Sequence, residues 1–485
     1  MQLRSADLAL GAGRLHAYIA GRETPMTLTN AQARDVASLI HPFTNLAALG
    51  ETGPNILVRG KGVFVYDSDG KEYLEAMSSL WCVALGWGEE ELVEAATEQM
   101  RKLAFAHIFA GKSHDPVSAL AEKLKELAPF PVGKIFFANS GSEANDSQIK
   151  FRWYAANARG TPRKKTIISR RGGYHGTTLA VTSLTGLDVI QQGFDAPLPF
   201  ARQVSSPHYY RGGLPGESEA DFVARLAAEL EALILREGPD TIAAMIAEPV
   251  MGAGGAVMPP AGYFPAIMAV LNRHGVGMID DEVVCGFGRT GNWFGCQTYN
   301  YQPDSMSLAK ALSSAYMPIS AVLLSPELSE IVESEAKRIG MLGHGFTYTG
   351  HPVASAVALK AIEIYQRRDI VGHVRQVAPV FAARLKKLMG NPLVGEADSV
   401  GLLGGLELVA DRKSKASFPE SAKVGPACGR FCLEEGLVIR PLANDRIAIC
   451  PPLIISHAEI HELFDRFASG LRKTLDWATR EGLVR

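Results

Sequence analysis

Long apolar runs are missing from this chain: none could span a bilayer, and the opening MQLRSADLALGAGRLHAYIAGRE is broken by Arg4, Asp7 and Arg14 where a signal peptide needs an unbroken apolar core. Serine is sparse in that opening and Asp7 is acidic, which argues against a transit peptide. Charge of one sign is missing too. With 49 Lys and Arg against 51 Asp and Glu, the formal net charge of −2 gives no electrostatic reason to expect nucleic acid or an anionic membrane as partner. Cysteine is scarce and scattered: Cys82, Cys285, Cys296, Cys428, Cys432 and Cys450 form no CxxC, so neither a disulfide framework nor a metal site is expected. These features predict a soluble cytoplasmic protein in a reducing compartment.

What is present is ample material for a core. A chain of 485 residues, 47% of them hydrophobic, predicts two or more domains. The runs KIFFA, KTIIS, TIAAMIA, VGMI, DSMSL and PISAVLL read as buried strands, while DPVSALAEKLKELA and ADFVARLAAELEALILREG carry the apolar spacing of amphipathic helices. Their alternation from roughly residue 130 to 325 predicts an α/β fold with a mostly parallel sheet covered on both faces. Such sheets bind ligands beyond the carboxyl ends of their strands. The flanks differ. NILVRGKGVFVYDSDGKEYLE reads as a pair of strands around DSDG, and the C-terminal part contains GLLGGLELV and RIAICPPLII before a last charged helix. The expected division is residues 1–80 and 346–485 in a smaller α+β domain made from both termini, and 81–345 in the large domain.

Chemistry-bearing residues follow the predicted strands. KIFFANSGSEAND is a strand, a turn and a helix start, so Gly141 and Ser142 could cradle a phosphate; the same residues also fit an ordinary N-cap by Ser140 or Ser142. GGYHGTT sets Tyr174 and His175 on a glycine-bordered loop, where a ring could lie against a planar ligand or simply pack. VGMIDDEVVCGFGRTG contains a G-x-G-x-x-G through Gly286, Gly288 and Gly291, but NWFGCQTYNYQPD after it has no helical period, which excludes a dinucleotide fingerprint. Asp280 and Asp281 end that strand, either with a carboxylate turned into the ligand crevice or as a solvated pair. Lys310, in SLAKALSS, has little around it to solvate an ammonium, which favours the neutral amine that attacks a carbonyl. A phosphate cradle, a ring platform, an acid and such a lysine are together the parts of a pyridoxal phosphate site.

The segments AMIAEPVMGAGG, IDDEVVCGFGRTGNWFG, PDSMSLAKALSSAYMPISAV and GHGFTYTGHPVASAVAL closely resemble the class III pyridoxal phosphate-dependent aminotransferases, over about residues 50–470. SSLWCVALG and SPHYYRGGLPGESEADF are most similar to the pyruvate-dependent omega branch, which includes aminotransferases for 4-aminobutyrate. The resemblance implies fold type I of the PLP-dependent transferases. It makes Lys310 the lysine that bonds to the cofactor aldehyde and later moves the substrate proton, and Asp281 the partner of the pyridine nitrogen. Tyr174 and Val283 would flank the ring, Gly141 and Ser142 would hold the phosphate, and Thr347 would reach the phosphate of a neighbouring subunit. Leu80, Trp81 and Phe109 match substrate-pocket positions; Ala106 stands where relatives carry a tyrosine. Arg440 matches a mobile arginine that pairs with the keto acid, with Arg446 as a rival. Asp280 departs from the family, which has an apolar or small residue there.

The activity so implied is ping-pong transfer of an amino group from an amine or omega-amino acid to a keto acid, pyruvate above others, through pyridoxamine phosphate. A homodimer with shared active sites, or a tetramer of such dimers, is the implied assembly. An aminomutase or decarboxylase on the same fold and a non-catalytic binding protein on that scaffold are the alternatives.

Overall fold

A computed structural model describes residues 28–484; the opening stretch searched for a leader lies outside the described residues. The chain separates into two compact units, one holding residues up to Arg59 with Tyr66–Glu72, the other Gly60–Val65 with Tyr73 onward. In the first, the helix Asn30–Ser38 starts at a capping box in which Thr29 and Gln32 satisfy each other's backbone N–H groups. Gln32 also donates to the Pro54 carbonyl at 2.9 Å, and Arg59 lies 3.3 Å from the centroid of the Tyr66 ring. The DSDG turn forms as expected, with Asp67 Oδ1 accepting from the N–H groups of Asp69 and Lys71. Where the sequence predicted a pair of strands, there are three: β1 (Leu57–Lys61), β2 (Phe64–Asp67) and β3 (Glu72–Glu75).

The second unit contains β4 (Lys134–Ala138), β5 (Thr166–Arg170), β6 (Ala201–Val204), β7 (Ile242–Ala247), β8 (Gly277–Asp281), β9 (Ser305–Leu308) and β10 (Ser320–Leu324). They form one seven-stranded sheet in the order β4-β10-β9-β8-β7-β5-β6. All run parallel except β10, which is antiparallel to both β4 and β9. β10 is buried along its whole length, so its composition is the same for either direction.

Strand side chains alternate between two cores, and this alternation decides the chemistry at the sheet's edge. Ile168, Met245, Ala247 and Met278 join the core under the helices Glu219–Glu237 and Tyr263–Arg273. Ile167, Ala244, Ile246 and Ile279 join the opposite core, beneath Gly141–Ala158 and Leu179–Leu184. By the same period of two, Asp280 follows Met278 to the first face and Asp281 follows Ile279 to the second. The doublet is therefore not a solvated pair: Asp280 is 0% exposed and Asp281 3%.

The C-terminal part adds β11 (Val394–Val400), β12 (Leu403–Leu408), β13 (Leu437–Val438), β14 (Arg440–Pro441) and β15 (Arg446–Ile449). β11, β12, β15 and β14 form an antiparallel sheet, and Leu437 and Val438 of β13 pair in parallel with Leu74 and Glu75 of β3. The last helix, His457–Arg480, starts at a capping box between Ser456 and Glu459 and buries Leu463, Phe464, Phe467 and Leu471.

One ion pair ties the helix Gly141–Ala158 to the sheet. Arg152, 7% exposed, holds Asp304 through both guanidinium amino groups and donates to Ser305 Oγ at 2.7 Å, while Asp304 Oδ1 accepts from Met278 N–H at 3.0 Å. Asp304→Ala strands a buried guanidinium and is expected to cost about 2 kcal/mol. A lowered urea midpoint checks this, with Asp304→Asn recovering part of the loss.

Candidate active site

Six chain segments converge at the carboxyl edge of the sheet. They are the turn Asn139–Ser142 after β4, the loop around Tyr174–Gly176 after β5, Glu248 after β7, Asp281–Val284 at the end of β8, Ala309–Lys310 after β9, and Met317–Ile319 before β10. The last is there because β10 runs antiparallel: its beginning, not its end, faces the edge. Together they line a cavity of about 390 Å³ that holds Gly141, Ser142, Tyr174, Asp281, Val283 and Lys310.

The helix Gly141–Ala158 begins at Ser140, whose Oγ accepts from Glu143 N–H, so Ser140 is the cap. That leaves Ser142 Oγ to accept from Thr177 N–H at 3.1 Å, closing the β5 loop onto the helix start. The first N–H groups of a helix have no partner within it, so this 18-residue helix presents donors and its positive end to the cavity. Gly176, at φ +127°, comes so close to Ser142 that a Cβ there would lie 2.4 Å from its Oγ. A Cβ on Gly141 would lie 3.1 Å from a Val283 methyl.

Asp281 is held by two donors that sequence reading did not pair with it. Asn145, one turn into the same helix, donates to Oδ2 at 2.7 Å, and His175 Nδ1 lies 2.8 Å from the same oxygen. Oδ1 accepts from Val283 N–H at 3.2 Å. Among the described residues, His175 Nε2 and Asn145 Oδ1 are buried without a hydrogen-bond partner. A second carboxyl, Glu248, was also missed. It is 3% exposed, accepts from Tyr174 N–H at 3.0 Å and Gly252 N–H at 2.8 Å, and burial pushes its pKa up. Its sequence signals were its place just after a buried strand and inside the segment AMIAEPVMGAGG.

Lys310 sits at φ +46° in the 3₁₀ turn Lys310–Ser313, and burial pushes its pKa down. Its Nζ is 6.0 Å from the Trp81 ring centroid, and the Arg440 guanidinium is 5.1 Å from the same ring. Trp81 is 5% exposed and closes a loop in which Ser78, Ser79 and Trp81 all have positive φ. Glu75, another residue the sequence gave no reason to single out, accepts from the N–H groups of Met77 and Ser79; burial pushes its pKa to about 7. The Arg440 Nε is buried without a partner, and burial lowers its pKa. Arg446, the rival, is fully engaged: it pairs with Glu396 and Glu407 and donates to the Gly255 carbonyl. Leu80 and Phe109 are exposed, as is Thr347; none of the three lines this cavity. The glycines Gly286, Gly288 and Gly291 lie in turns, followed only by the four-residue helix Gly295–Thr298, so no dinucleotide-binding helix opens there.

A helix N-terminus, an aromatic loop, a carboxyl held by two donors and a desolvated lysine on one cavity define a PLP-dependent enzyme of fold type I. The comparisons agree: a family model for aminotransferase class-III matches residues 48–471, and the chain belongs to that family. It is 47% identical over 437 residues to a protein named gamma-aminobutyrate transaminase 1, mitochondrial, from Oryza sativa subsp. japonica, covering 90% of this chain and 84% of that one. It is 46% identical to gamma aminobutyrate transaminase 3, chloroplastic, from Solanum lycopersicum, covering 90% of this chain and 84% of that one. Among solved structures it is similar to the omega transaminase from Pseudomonas jessenii in complex with PMP, with a TM-score of 0.91, 47% identity, and 93% and 99% of the two chains covered. The protein is a pyridoxal phosphate-dependent aminotransferase.

The close Gly176–Ser142 approach gives a direct check. Gly176→Ala must push Ser142 from its place at the helix start on the cavity and adopt a φ that alanine resists, so cofactor affinity is expected to fall about tenfold or more. Titration of apoenzyme with pyridoxal phosphate, followed by absorbance, measures it.

Proposed function

We propose that this aminotransferase takes an amino group from an amine or omega-amino acid and delivers it to pyruvate. The observation that carries the acceptor is Arg440: a half-buried guanidinium with an unpartnered Nε, stacked on the Trp81 ring that also faces Lys310. A planar fork without an acid of its own suits a keto acid carboxylate, and the aromatic face beside it suits an apolar amine. The relatives named as gamma-aminobutyrate and omega transaminases support the same branch.

When bound, pyridoxal phosphate supplies an aldehyde that takes the amino group and a ring that accepts the electrons released at the substrate Cα. Lys310 is the residue that holds the cofactor and moves the Cα proton; burial favours its neutral amine, which is the form able to accept that proton. Asp281, fixed by Asn145 and His175, stands as the anion for the ring nitrogen. Tyr174 and Val283 would flank the ring, and Gly141 and Ser142 would hold the phosphate. The active unit in this reading is a homodimer with shared sites. The exposure of Thr347 and Phe109, away from their own chain's cavity, supports a role at a neighbour's site. Six free thiols support a reducing compartment such as the cytoplasm.

Lys310→Ala is expected to abolish turnover in a folded protein, and Asp281→Asn to slow the half-reaction by orders of magnitude; stopped-flow absorbance after mixing with an amine reads both. Near wild-type rates in the lysine variant would falsify the assignment. The acceptor is tested separately. Arg440→Ala is expected to raise the KM for pyruvate at least tenfold while changing that for an uncharged amine little, because only the acid loses a charge partner. Equal effects on both substrates, or a strong preference for 2-oxoglutarate over pyruvate in the unaltered enzyme, remove the pyruvate assignment.

A further inference from the structure

On the face of β8 turned away from the cavity, Asp280 and Glu282 flank Asp281 in sequence and meet each other in the core. Both are within 1% of complete burial. Asp280 Oδ1 accepts from the Tyr301 hydroxyl at 2.6 Å, and Tyr301 is fixed by stacking on Phe264 at 4.1 Å between ring centroids. Glu282 Oε1 accepts from Cys296 N–H at 2.8 Å. Among the described residues one buried oxygen of each, Asp280 Oδ2 and Glu282 Oε2, has no hydrogen-bond partner, and the Cys296 thiol lies beside both carboxyls. A carboxyl oxygen of one lies within 4.8 Å of a carboxyl oxygen of the other, and two carboxyls can bond each other only if one brings an O–H.

We propose that Asp280 and Glu282 share a buried proton and that this acid–carboxylate pair is a positioning device that keeps Asp281 turned into the cofactor cavity. One proton held between the two carboxyls would supply the donor that the pair lacks. The groups that face the pair from the elements packed around it are Tyr301, Cys296 and Cys285, none of them cationic, and among the described residues neither carboxyl has an ion pair. No cationic side chain among them is on hand to neutralise the pair. Burial accordingly pushes Glu282 up to about 7 and Asp280 well above the usual carboxylate range.

The connection to Asp281 is the backbone. Glu282 N–H donates to the Ser307 carbonyl at 3.0 Å and the Glu282 carbonyl accepts from Gly286 at 2.9 Å, while its side chain reaches Cys296, so Glu282 ties β8, the following turn and the Gly295–Thr298 helix together. Loss of the shared proton places two charges against each other with Asp281 between them in the chain. Both carboxyls bind protons more tightly in the folded than in the unfolded chain. Stability from this pair therefore falls as pH rises from the ordinary carboxyl range through about 7 and beyond.

The consequence for the cofactor rests on the Asp281 assignment above, and two measurements keep them apart. Infrared spectra of the holoenzyme at about pH 8 are expected to show the carbonyl stretch of an un-ionised carboxyl that is lost in Asp280→Asn and equally in Glu282→Gln. In parallel, cofactor release is followed by absorbance as pH is raised. Wild type is expected to release cofactor faster on the alkaline side. Asp280→Asn, whose amide N–H takes the place of the proton toward Glu282, is expected to keep its cofactor at neutral pH and to lose that alkaline limb. Asp280→Leu, which leaves Glu282 without its partner, is expected to release cofactor about tenfold faster at neutral pH. If Asp280→Asn fails to fold, Glu282→Gln makes the same substitution from the other side. A band that survives both amide variants, or an alkaline release profile identical in wild type and the amide variants, overturns the proposal. A normal half-reaction in Asp281→Asn overturns the ring-nitrogen assignment instead and leaves the infrared result standing.

Discussion

The site is organised around a single anion kept dry. Asp281 is almost wholly buried, and a carboxylate in that position survives only if donors replace the water it has lost. Asn145 and His175 do so from the helix after β4 and the loop after β5, so fixing the acid also fixes those two elements against β8. The rest of the cavity inherits this frame. The helix start that faces the cavity is one turn from Asn145, and Tyr174 directly precedes His175.

A second economy lies in how charge is distributed over the sheet edge. Lys310 shares its cavity with two acids, Asp281 and Glu248, yet neither is paired with it; each is satisfied by N–H groups instead. A lysine locked in an ion pair would be held as the ammonium and would be useless as a base. Desolvation without a close counter-ion keeps it adjustable. Arg440 follows the same logic beside Trp81, a cation with no ion pair among the described residues, whereas Arg446, a few residues on, is consumed by Glu396 and Glu407.

Much of this was legible from residue order. Strand-end positions of Asp281 and Lys310 followed from apolar runs, and the failure of G-x-G-x-x-G as a dinucleotide motif followed from the absence of a helix behind it. What could not be read were relations across sequence distance. Asn145 and Asp281 are 136 residues apart and His175 and Asp281 106 apart, and neither donor differs locally from an ordinary core residue. β6 and β11 were missed because ARQV and VGEADSV are too polar to stand out. The direction of β10 was hidden by its uniform burial, and the split destination of Asp280 and Asp281 needed the two cores on either side of β8 to be seen. Leu80, Phe109 and Thr347 were placed by resemblance, and one chain alone does not gather them at its own cavity.

The reversal of β10 also sets a rule for how this enzyme can change. The segment from Ala309 to Ile319 leaves the edge of the sheet at the end of β9 and returns to the same edge at the start of β10, and these strands are bonded neighbours, Leu308 opposite Ala321. It is a closed loop pinned at both feet. Its feet are held by that pairing, because a slip of β10 by one residue would turn every buried side chain of that strand to the wrong face. A change of length around the lysine must therefore be taken up inside the loop itself, between feet that cannot move.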